Sequence, residues 1–204
     1  MTGVQTCALP IFCVPGESYL GAIDALYDAP EIDIVRVRHE GGGGFMAVAD
    51  AKYTGRTGVE FVSRGPGATN ASIGVHVAQQ DAVPIVLFVG QVARGDIGRG
   101  AFQEVDYVKT FSDMAKLVIE IRDPDKLAGS VQKAFYTANA GTPGPVVVSL
   151  PEDMLLEETQ VGAKPASREV MAKPNAGEIS ELCRRLANAE KPIIIADPQS
   201  TPPN

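Results

Sequence analysis

The sequence predicts an α/β fold with a parallel sheet of about six strands and helices on both faces, followed by a linker and the truncated start of a second α/β domain. Apolar runs of strand length recur along the chain, as expected for strands that are buried on both faces. Helix-length stretches separate them, and such a β-α repeat calls for right-handed crossovers between parallel strands. The runs are Ile11–Val14, Ile32–Val37, Val59–Ser63, Pro84–Val89, Leu117–Ile121 and Pro145–Leu150.

The stretches between the strands carry apolar side chains at helical spacing. One helix is predicted to begin at Asp123-Pro124, a capping residue followed by proline at the first helical position. We expect the apolar stripes of the helices to lie in the core. The stripes are Tyr19, Ile23, Leu26 and Tyr27 in the first helix, and Leu127, Val131, Ala134, Phe135 and Ala138 in the later one.

The end of the chain differs from the rest. Periodicity disappears from Glu157 to Lys173, which we interpret as an interdomain linker. A new unit then begins with a capping-box pattern, Asn175 to Glu178, and continues to a buried-type strand at Pro192 to Ala196. The predicted organisation is a non-native or truncated N-terminus over 1–11, a main domain over 12–158, a linker over 159–174 and the truncated start of a central domain over 175–204.

Composition narrows the class of protein. With 45% hydrophobic and 21% charged residues the chain can bury a full core. A net charge of −7 argues against a nucleic-acid surface, which needs clustered Lys and Arg. Cys7, Cys13 and Cys183 are odd in number and widely spaced, which favours reduced thiols over a disulfide framework or a zinc site. No segment approaches the roughly 20 apolar residues of a membrane span. We therefore expect a soluble cytoplasmic protein.

The stretch with the clearest chemistry joins the second strand to a glycine-rich helix start led by Glu40. Four successive glycines, Gly41 to Gly44, weaken a helix by up to roughly 3 to 4 kcal/mol relative to alanine. The usual reason for such a run is close approach of another backbone or a flat ligand. The alternative is a flexible turn in which a solvated Glu40 benefits from the helix N-terminus. The order of residues does not match a phosphate-binding loop.

A second glycine-rich turn, Gly65-Pro66-Gly67, follows the third strand. It falls one residue short of the Gly-x-Gly-x-x-Gly pattern and has Asn70 in the last position. A dinucleotide-binding domain also usually has an acidic residue after the next strand, where this chain has Gly90-Gln91. A dinucleotide-binding oxidoreductase domain is therefore the weaker alternative.

Together, four stretches resemble the N-terminal, pyrimidine-binding domain of thiamine-diphosphate enzymes of the acetolactate synthase group. The resemblance covers roughly residues 12–158, and its closing strand includes Leu150-Pro151-Glu152-Asp153. The ordered set is specific to the superfamily and much less specific to one substrate. The four stretches are Val14-Pro15-Gly16-Glu17-Ser18, Arg38-His39-Glu40, Gly65 to Asn70, and Val89 to Val92 followed by Ala101-Phe102-Gln103-Glu104.

The resemblance implies an N-terminal domain of a thiamine-diphosphate-dependent carboligase or decarboxylase, and a catalytic role for Glu40. In the family this glutamate hydrogen-bonds N1′ of the aminopyrimidine, which favours the imino tautomer that takes the C2 proton. The resulting ylid attacks a 2-keto acid, and the cofactor serves as electron sink. A buried carboxylate suits this role, because desolvation raises the pKa of a carboxyl group and lets it share a proton with a ring nitrogen.

The same resemblance implies the other site residues and the partners. Mg²⁺ would be held by a domain missing from this chain, and the cofactor would lie against the diphosphate-binding domain of another subunit of a homodimer or homotetramer. We therefore expect the chain alone to be inactive. A bound flavin (FAD) is possible in the family, and the sequence does not show whether one is bound. The implied pocket residues are Val14, Pro15, Gly16, Ser63, Pro66 and Asn70, and those facing a 2-keto acid or acyl substrate are Gln103, Phe102 and Glu17.

Three features depart from the acetolactate synthase pattern. Glu17 stands where a second glycine is usual, Gly41 to Gly44 replace Gln-Gly-Ala-Ala, and Arg64 replaces a small residue. These differences point to a paralogous carboligase or decarboxylase with a related substrate. A further alternative is a non-catalytic dimerisation or regulatory module of the same fold. An apolar residue in place of Glu40 would have favoured that alternative, and Glu40 is present.

Overall fold

Six parallel strands form one sheet in a computed structural model that describes residues 9–164 and 174–194. The strand order is β2-β1-β3-β4-β6-β5, which puts β3 and β4 at the centre. All pairings are parallel, so the predicted fold class and the six strands predicted for the main domain are confirmed. The strands are β1 Leu9–Cys13, β2 Ile32–Arg36, β3 Gly58–Val62, β4 Ile85–Gln91, β5 Leu117–Glu120 and β6 Pro145–Pro151.

Helices cover both faces of the sheet. The first and fifth helices, α1 and α5, pack on one face, and α2, α3 and α4 pack on the other. Short 3₁₀ turns precede α1 and α5 and follow β6. The helices are α1 Leu20–Tyr27, α2 Glu40–Thr54, α3 Pro66–Gln80, α4 Tyr107–Phe111, α5 Leu127–Asn139 and α6 Ala176–Asn188, and the 3₁₀ turns are Glu17–Tyr19, Pro124–Lys126 and Met154–Leu156.

The central strands are apolar on both faces, which explains their near-continuous apolar sequences. In β4, Val86 and Phe88 lie in the core under α1 and α5, while Leu87 lies in the core under α2 and α3. The ring of Phe61 in β3 stacks on Phe88, with 4.5 Å between the ring centroids. This double-sided burial holds the carboxyl ends of the strands in fixed positions.

The predicted helical stripes are confirmed with one exception. The stripe of α5 packs into the core, and Asp123 caps the preceding turn by accepting a hydrogen bond from the Asp125 N–H. In α1, Ile23 and Leu26 pack against the core. Tyr27 was expected there too, but it is 86% exposed. It is the last residue of an eight-residue helix, so no following turn covers it.

The chain divides into two compact units, residues 1–167 and 168–204. In the second unit Asn175 and Glu178 form the predicted capping box at the start of α6. The strand predicted at Pro192 to Ala196 is wrong for 192–194, which lie outside any strand with Ile193 and Ile194 exposed, and its last two residues are outside the described part of the chain. Residues 1–8 and 165–173 are also outside it. β1 begins at Leu9, within the stretch assigned to the N-terminal remnant. The predicted domain boundaries stay predictions.

Candidate functional site

The loops that leave the carboxyl ends of β1, β2 and β3 converge at one edge of the sheet. A Cβ added to Gly16, after β1, would lie 2.5 Å from the Cβ of Ser63, after β3. A Cβ added to Gly67 would lie 3.3 Å from Oε1 of Glu40 and 3.5 Å from the Cβ of Ser63. Glu40, Gly16 and Ser63 therefore surround one small space, at the edge where open α/β sheets bind ligands.

Glu40 is the first residue of α2, and its carboxylate is held from one side. Asn70 donates a hydrogen bond from Nδ2 to Oε2 of Glu40 at 3.0 Å. Oε1 accepts no hydrogen bond from any residue that the structure describes. The preceding residue, His39, caps the helix by accepting a hydrogen bond from the Gly41 N–H at Nδ1, 3.1 Å away. Glu40 is half-buried, so one carboxylate oxygen is fixed and the other can meet a ligand.

The remaining pocket residues predicted from the resemblance differ in exposure. Val14 is half-buried at the end of β1, and Pro15 is exposed. Pro66 is the first residue of α3 and is exposed, which leaves the adjoining Gly67 buried against Glu40. Each lies on one of the converging loops, in the order that the sequence predicted.

Ser18, which the sequence analysis did not single out, ties the loops after β1 and β3 to strand β4. It is fully buried, and its Oγ lies 2.9 Å from Oγ of Ser63. The backbone N–H of Arg64 donates to the same Oγ at 3.1 Å. A Cβ added to Gly90, in β4, would lie 2.1 Å from Ser18 Oγ. Glycine at position 90 is therefore required by the serine.

Two of the departures from the family pattern pair with each other. Nη2 of Arg64 donates to Glu17 Oε1 at 2.6 Å, and Nη1 donates to Glu152 Oε2 at 2.8 Å. The guanidinium side chain is 9% exposed, against 68% for Glu17 and 39% for Glu152. The sequence analysis treated Glu17 and Arg64 separately and gave Glu152 no role. The network joins the loops after β1, β3 and β6.

The loop after β4 closes the site on the side predicted to face substrate. The backbone of Gln103 lies against Gly65, since a Cβ on Gly65 would come within 2.7 Å of the Gln103 carbonyl oxygen. Gly65 has a φ of +60° and Gln103 a φ of +62°, so both use the left-handed region. The side chain of Phe102 is 76% exposed. Gln103 therefore contacts the Gly65 turn through its backbone, and Phe102 faces solvent.

Two side chains fix this loop. Tyr107 accepts a hydrogen bond from the Gly65 N–H at 3.0 Å and donates to the Gly90 carbonyl oxygen at 3.3 Å. Glu104 accepts from the backbone N–H groups of Gly98, Gly100 and Ala101, and these bonds, led by that of Gly98, lower the pKa of Glu104. Glu104 thus acts as an ionised anchor for its own loop.

The four glycines at the start of α2 have different neighbours. A Cβ on Gly44 would lie 2.9 Å from Cα of Gly74 in α3, which confirms the predicted close approach of a second backbone. A Cβ on Gly43 would lie 2.5 Å from Oε1 of Glu60. A Cβ on Gly42 would have nothing within 4 Å. The run therefore serves helix contact at Gly44 and a buried carboxyl group at Gly43.

Glu60 is the residue of this region that the sequence analysis missed. It lies on β3, is 1% exposed and points to the glycine side of α2. Burial, with a smaller contribution from Glu40, raises the pKa of Glu60 to about 9, against the lowering effect of a hydrogen bond from the Gly44 N–H. The signal in the sequence that could have identified Glu60 is an acidic residue within the otherwise apolar strand Gly58–Val62.

Other classes of site are absent from the described residues. No group of three or more His, Cys, Asp or Glu side chains gathers there as a metal site. Within the same ranges no helix has the length and hydrophobicity needed to cross a bilayer. The thiols of Cys13 and Cys183 are free, and Cys7 lies outside the described part of the chain.

Comparison with known proteins decides the family. Residues 8–110 match the family described as thiamine pyrophosphate enzyme, N-terminal TPP binding domain. The chain belongs to this family. The matched segment contains the converging loops with Gly16, Glu40, Ser63 and Asn70, and thiamine pyrophosphate is another name for thiamine diphosphate.

Similar full-length proteins are acetolactate synthases. The chain is 38% identical over 191 residues to the acetolactate synthase large subunit of Lactococcus lactis, covering 91% of this chain and 33% of the relative. It is 36% identical to isozyme 3 large subunit of Escherichia coli over 190 residues, 90% of this chain and 33% of that protein. The Mycobacterium bovis acetolactate synthase is 36% identical over 188 residues, 90% and 30%. The chain thus spans about a third of the length of these relatives.

Proposed function

We propose that this chain is the pyrimidine-binding part of a thiamine-diphosphate-dependent carboligase or decarboxylase that acts on a 2-keto acid or acyl substrate. Family membership supports the cofactor, and the names of the relatives support the reaction class. The observation that carries the proposal is the carboxylate of Glu40, with one oxygen held by Asn70 and the other without a partner among the described residues, at the junction of three loops.

The residues present fit a flat aminopyrimidine. Gly16 and Gly67 leave room that a Cβ would fill, next to Ser63 and Glu40 respectively. Backbone without side chains lets a ring approach closely. The polar groups around this space are an acceptor, Glu40 Oε1, and the Ser63 hydroxyl. A few convergent polar groups in a mostly apolar concavity are typical of a cofactor site.

Each residue would have a limited task. With the cofactor bound, Glu40 would hold or give up a proton at Oε1 toward ring nitrogen N1′, and Asn70 would keep Oε2 in place. Val14, Pro15, Gly16, Ser63 and Pro66 form the walls around the ring. When bound, the cofactor supplies the carbon nucleophile and the electron sink that amino-acid side chains lack. General acid–base groups of this kind contribute about 10²- to 10⁴-fold in rate.

The substrate side is assigned to Gln103, Phe102 and Glu17. The pairing of Glu17 with Arg64 favours an enzyme related to acetolactate synthase rather than one with identical specificity, because a charged pair replaces two small residues beside Gly16. A related 2-keto acid or acyl group is the substrate class that we propose.

The rest of the assembly is also proposed. Mg²⁺ and the diphosphate would be held by a domain outside the described residues, in another subunit of a homo-oligomer. Mg²⁺ takes oxygen ligands from carboxylates, waters and phosphates. The diphosphate of the cofactor can supply the phosphate oxygens. We propose a cytoplasmic location, which suits the free thiols of Cys13 and Cys183.

The test is exchange of the cofactor's C2 proton, followed by NMR in the complete enzyme. Glu40→Gln keeps the shape of the side chain and its contact with Asn70, but the amide cannot share a proton with N1′. We expect the exchange rate to fall by orders of magnitude. Glu31→Gln, at an exposed position away from the loops, is the matched control and should leave the rate unchanged. An unchanged rate in Glu40→Gln would remove Glu40 from the mechanism.

A further inference from the structure

A second carboxyl group lies beneath the glycine-rich turn, at Glu60. Its neighbours at the same level of the sheet are Phe12 in β1 and Leu87 in β4, both apolar. The residue is 1% exposed. Its own strand is central, so water reaches it from neither edge of the sheet. An ionised carboxylate in such surroundings is strongly unfavourable unless it is paired.

The space for this carboxyl group is made by glycines of two helices. Oε1 would lie 2.5 Å from a Cβ on Gly43, and Oε2 would lie 3.1 Å from a Cβ on Gly44. Gly74 in α3 closes the other side through its contact with Gly44. The Gly44 N–H donates to the carboxyl group, and Oε1 has no hydrogen-bond partner in the part of the chain that the structure describes. Glu60 therefore packs against the helical turn that starts at Glu40.

The charged and titratable groups facing Glu60 include no cation among the described residues. Glu40, from α2, is the acidic group coupled to it. From β1 and the turn after it, Cys13 and Tyr19 couple to Glu60, and burial raises the pKa of both, so they are neutral near pH 7. The sheet-facing residues of α3 and the adjoining positions of β1 and β4 are uncharged. They are Gly67, Ala68, Ala71, Gly74, Val75, Ala78, Phe12 and Leu87.

We propose that Glu60 is a positioning residue for Glu40: a buried acid that packs against Gly43 and Gly44, supports the first turn of α2 and remains protonated beside the acidic Glu40. This inference rests on the proposed function for the role of Glu40. Once Glu60 ionises, two carboxylates share one poorly solvated region, and a like charge disfavours ionisation of its neighbour. The turn that carries Glu40 then loses its packing.

The direct test needs no cofactor. The carboxyl ¹³C resonance of Glu60 is followed against pH by NMR in residues 1–204, in the wild type and in Glu40→Gln. We expect the wild-type resonance to titrate near pH 9, and to titrate at lower pH in Glu40→Gln because one of the groups raising the pKa of Glu60 is gone. A midpoint near 4.5, the ordinary value, or a midpoint that Glu40→Gln does not move, would overturn the coupling.

A second test separates this inference from the proposed function. In the complete enzyme, C2-proton exchange is measured against pH for the wild type, Glu60→Gln and Glu60→Met, the last as a variant without hydrogen-bonding groups. Above a pKa of about 9 the protonated fraction of Glu60 falls about tenfold per pH unit, so wild-type exchange should decline there. Glu60→Gln, which cannot ionise, should show no such decline, and Glu60→Met, which cannot support the turn by a hydrogen bond, should exchange more slowly at every pH. Profiles that decline together would overturn the role of Glu60. If instead Glu40→Gln exchanges like the wild type, the proposed function fails.

Discussion

Two buried ionisable groups on or just after β3 are handled in opposite ways. Arg64 keeps its charge and is paired with Glu17 and Glu152, at 2.6 and 2.8 Å. Glu60 has one hydrogen bond from a backbone N–H and no counter-ion, and its raised pKa of about 9 keeps it protonated at neutral pH. The difference follows from position. Arg64 follows the end of the strand, where exposed carboxylates can reach it, whereas Glu60 is in the middle of the sheet.

Arg64 and Glu60 are also accommodated by two different kinds of departure from the family pattern. The charge of Arg64 is matched by a second departure, Glu17, so the two changes are intelligible only as a pair. The carboxyl group of Glu60 is matched by missing side chains, since Gly43 leaves the room that its Oε1 fills. The buried guanidinium is thus stabilised by an opposite charge, and the buried carboxyl group is given space by a residue without a side chain.

The largest expected effect is on the pH dependence of stability. The folded-state pKa of Glu60, about 9, lies above its unfolded value near 4.5, so the native state binds the extra proton between these pH values. The free energy of unfolding should therefore fall as pH rises from about 5 to 9, by up to about 1.4 kcal/mol per pH unit from this group.

Urea unfolding at a series of pH values measures this slope, and Glu60→Gln should flatten it. The amide keeps the size of the side chain but does not titrate. A wild type whose stability is level or rising across that range, with Glu60→Gln indistinguishable from it, would show that Glu60 is ionised in the folded state.

The next effect concerns the pairing of Arg64. Removing both carboxylates in Glu17→Gln/Glu152→Gln leaves a buried guanidinium without a counter-ion, at a cost of about 3 kcal/mol. Arg64→Met leaves two carboxylates that are already partly exposed, so its cost should be about 1 kcal/mol.

Chemical denaturation of the three proteins at pH 7 gives both numbers. The ranking is the test, because a pair that acts only as surface charge would give small and similar losses in both variants. If Arg64→Met proves the more damaging change, packing of the arginine side chain outweighs its charge.

A smaller effect is expected where Glu60 meets Gly43. Gly43→Ala places a Cβ 2.5 Å from Oε1 of Glu60, so the carboxyl group must move. In a Glu60→Val background that contact is gone and only Cγ2 of Val37, 3.1 Å from the Cβ, has to give way, so the same alanine should cost less. A double-mutant cycle on the free energy of unfolding should give a coupling of about 1 to 2 kcal/mol. Additive effects would mean that Glu60 does not occupy that space.

The smallest effect is a gain. Gly42→Ala adds a Cβ with nothing within 4 Å, so it should stabilise the chain by about 0.5 kcal/mol through helix propensity. Gly44→Ala is the matched control, and it should destabilise the chain because its Cβ would lie 2.9 Å from Cα of Gly74. Thermal unfolding of the two variants shows the signs. Equal changes would mean that the four glycines serve one common purpose.

Most of the fold could be predicted from local pattern. Strands that are apolar on both faces, and a cap such as Asp123-Pro124, depend on neighbouring residues alone. Tyr27 could not be predicted in the same way, because its exposure depends on where α1 ends relative to the sheet. The strand predicted at Pro192 to Ala196 is absent over 192–194. An apolar run forms a strand only where a neighbouring strand can hydrogen-bond to it, and a local pattern does not show whether one does.

Part of the site could likewise be predicted from the sequence, and part could not. The loops with Gly16, Glu40 and Ser63 were predictable, because parallel strands bring their carboxyl ends to one edge. The network of Arg64 joins residues 47 and 88 positions apart, which no local pattern connects. The role of Gly43 was also hidden, since the sequence shows a weakened helix but not the carboxyl group that fills the space.

The proposed role of Glu40 requires that Glu40 share a proton with the cofactor. The ¹⁵N chemical shift of N1′, measured with labelled thiamine diphosphate bound to the complete enzyme, reports whether that nitrogen carries a proton. We expect the wild type to show the protonated-nitrogen shift and Glu40→Gln to show the shift of the free base. A protonated-nitrogen shift that persists in Glu40→Gln, or is missing from the wild type, would contradict the placement of Glu40 at the pyrimidine.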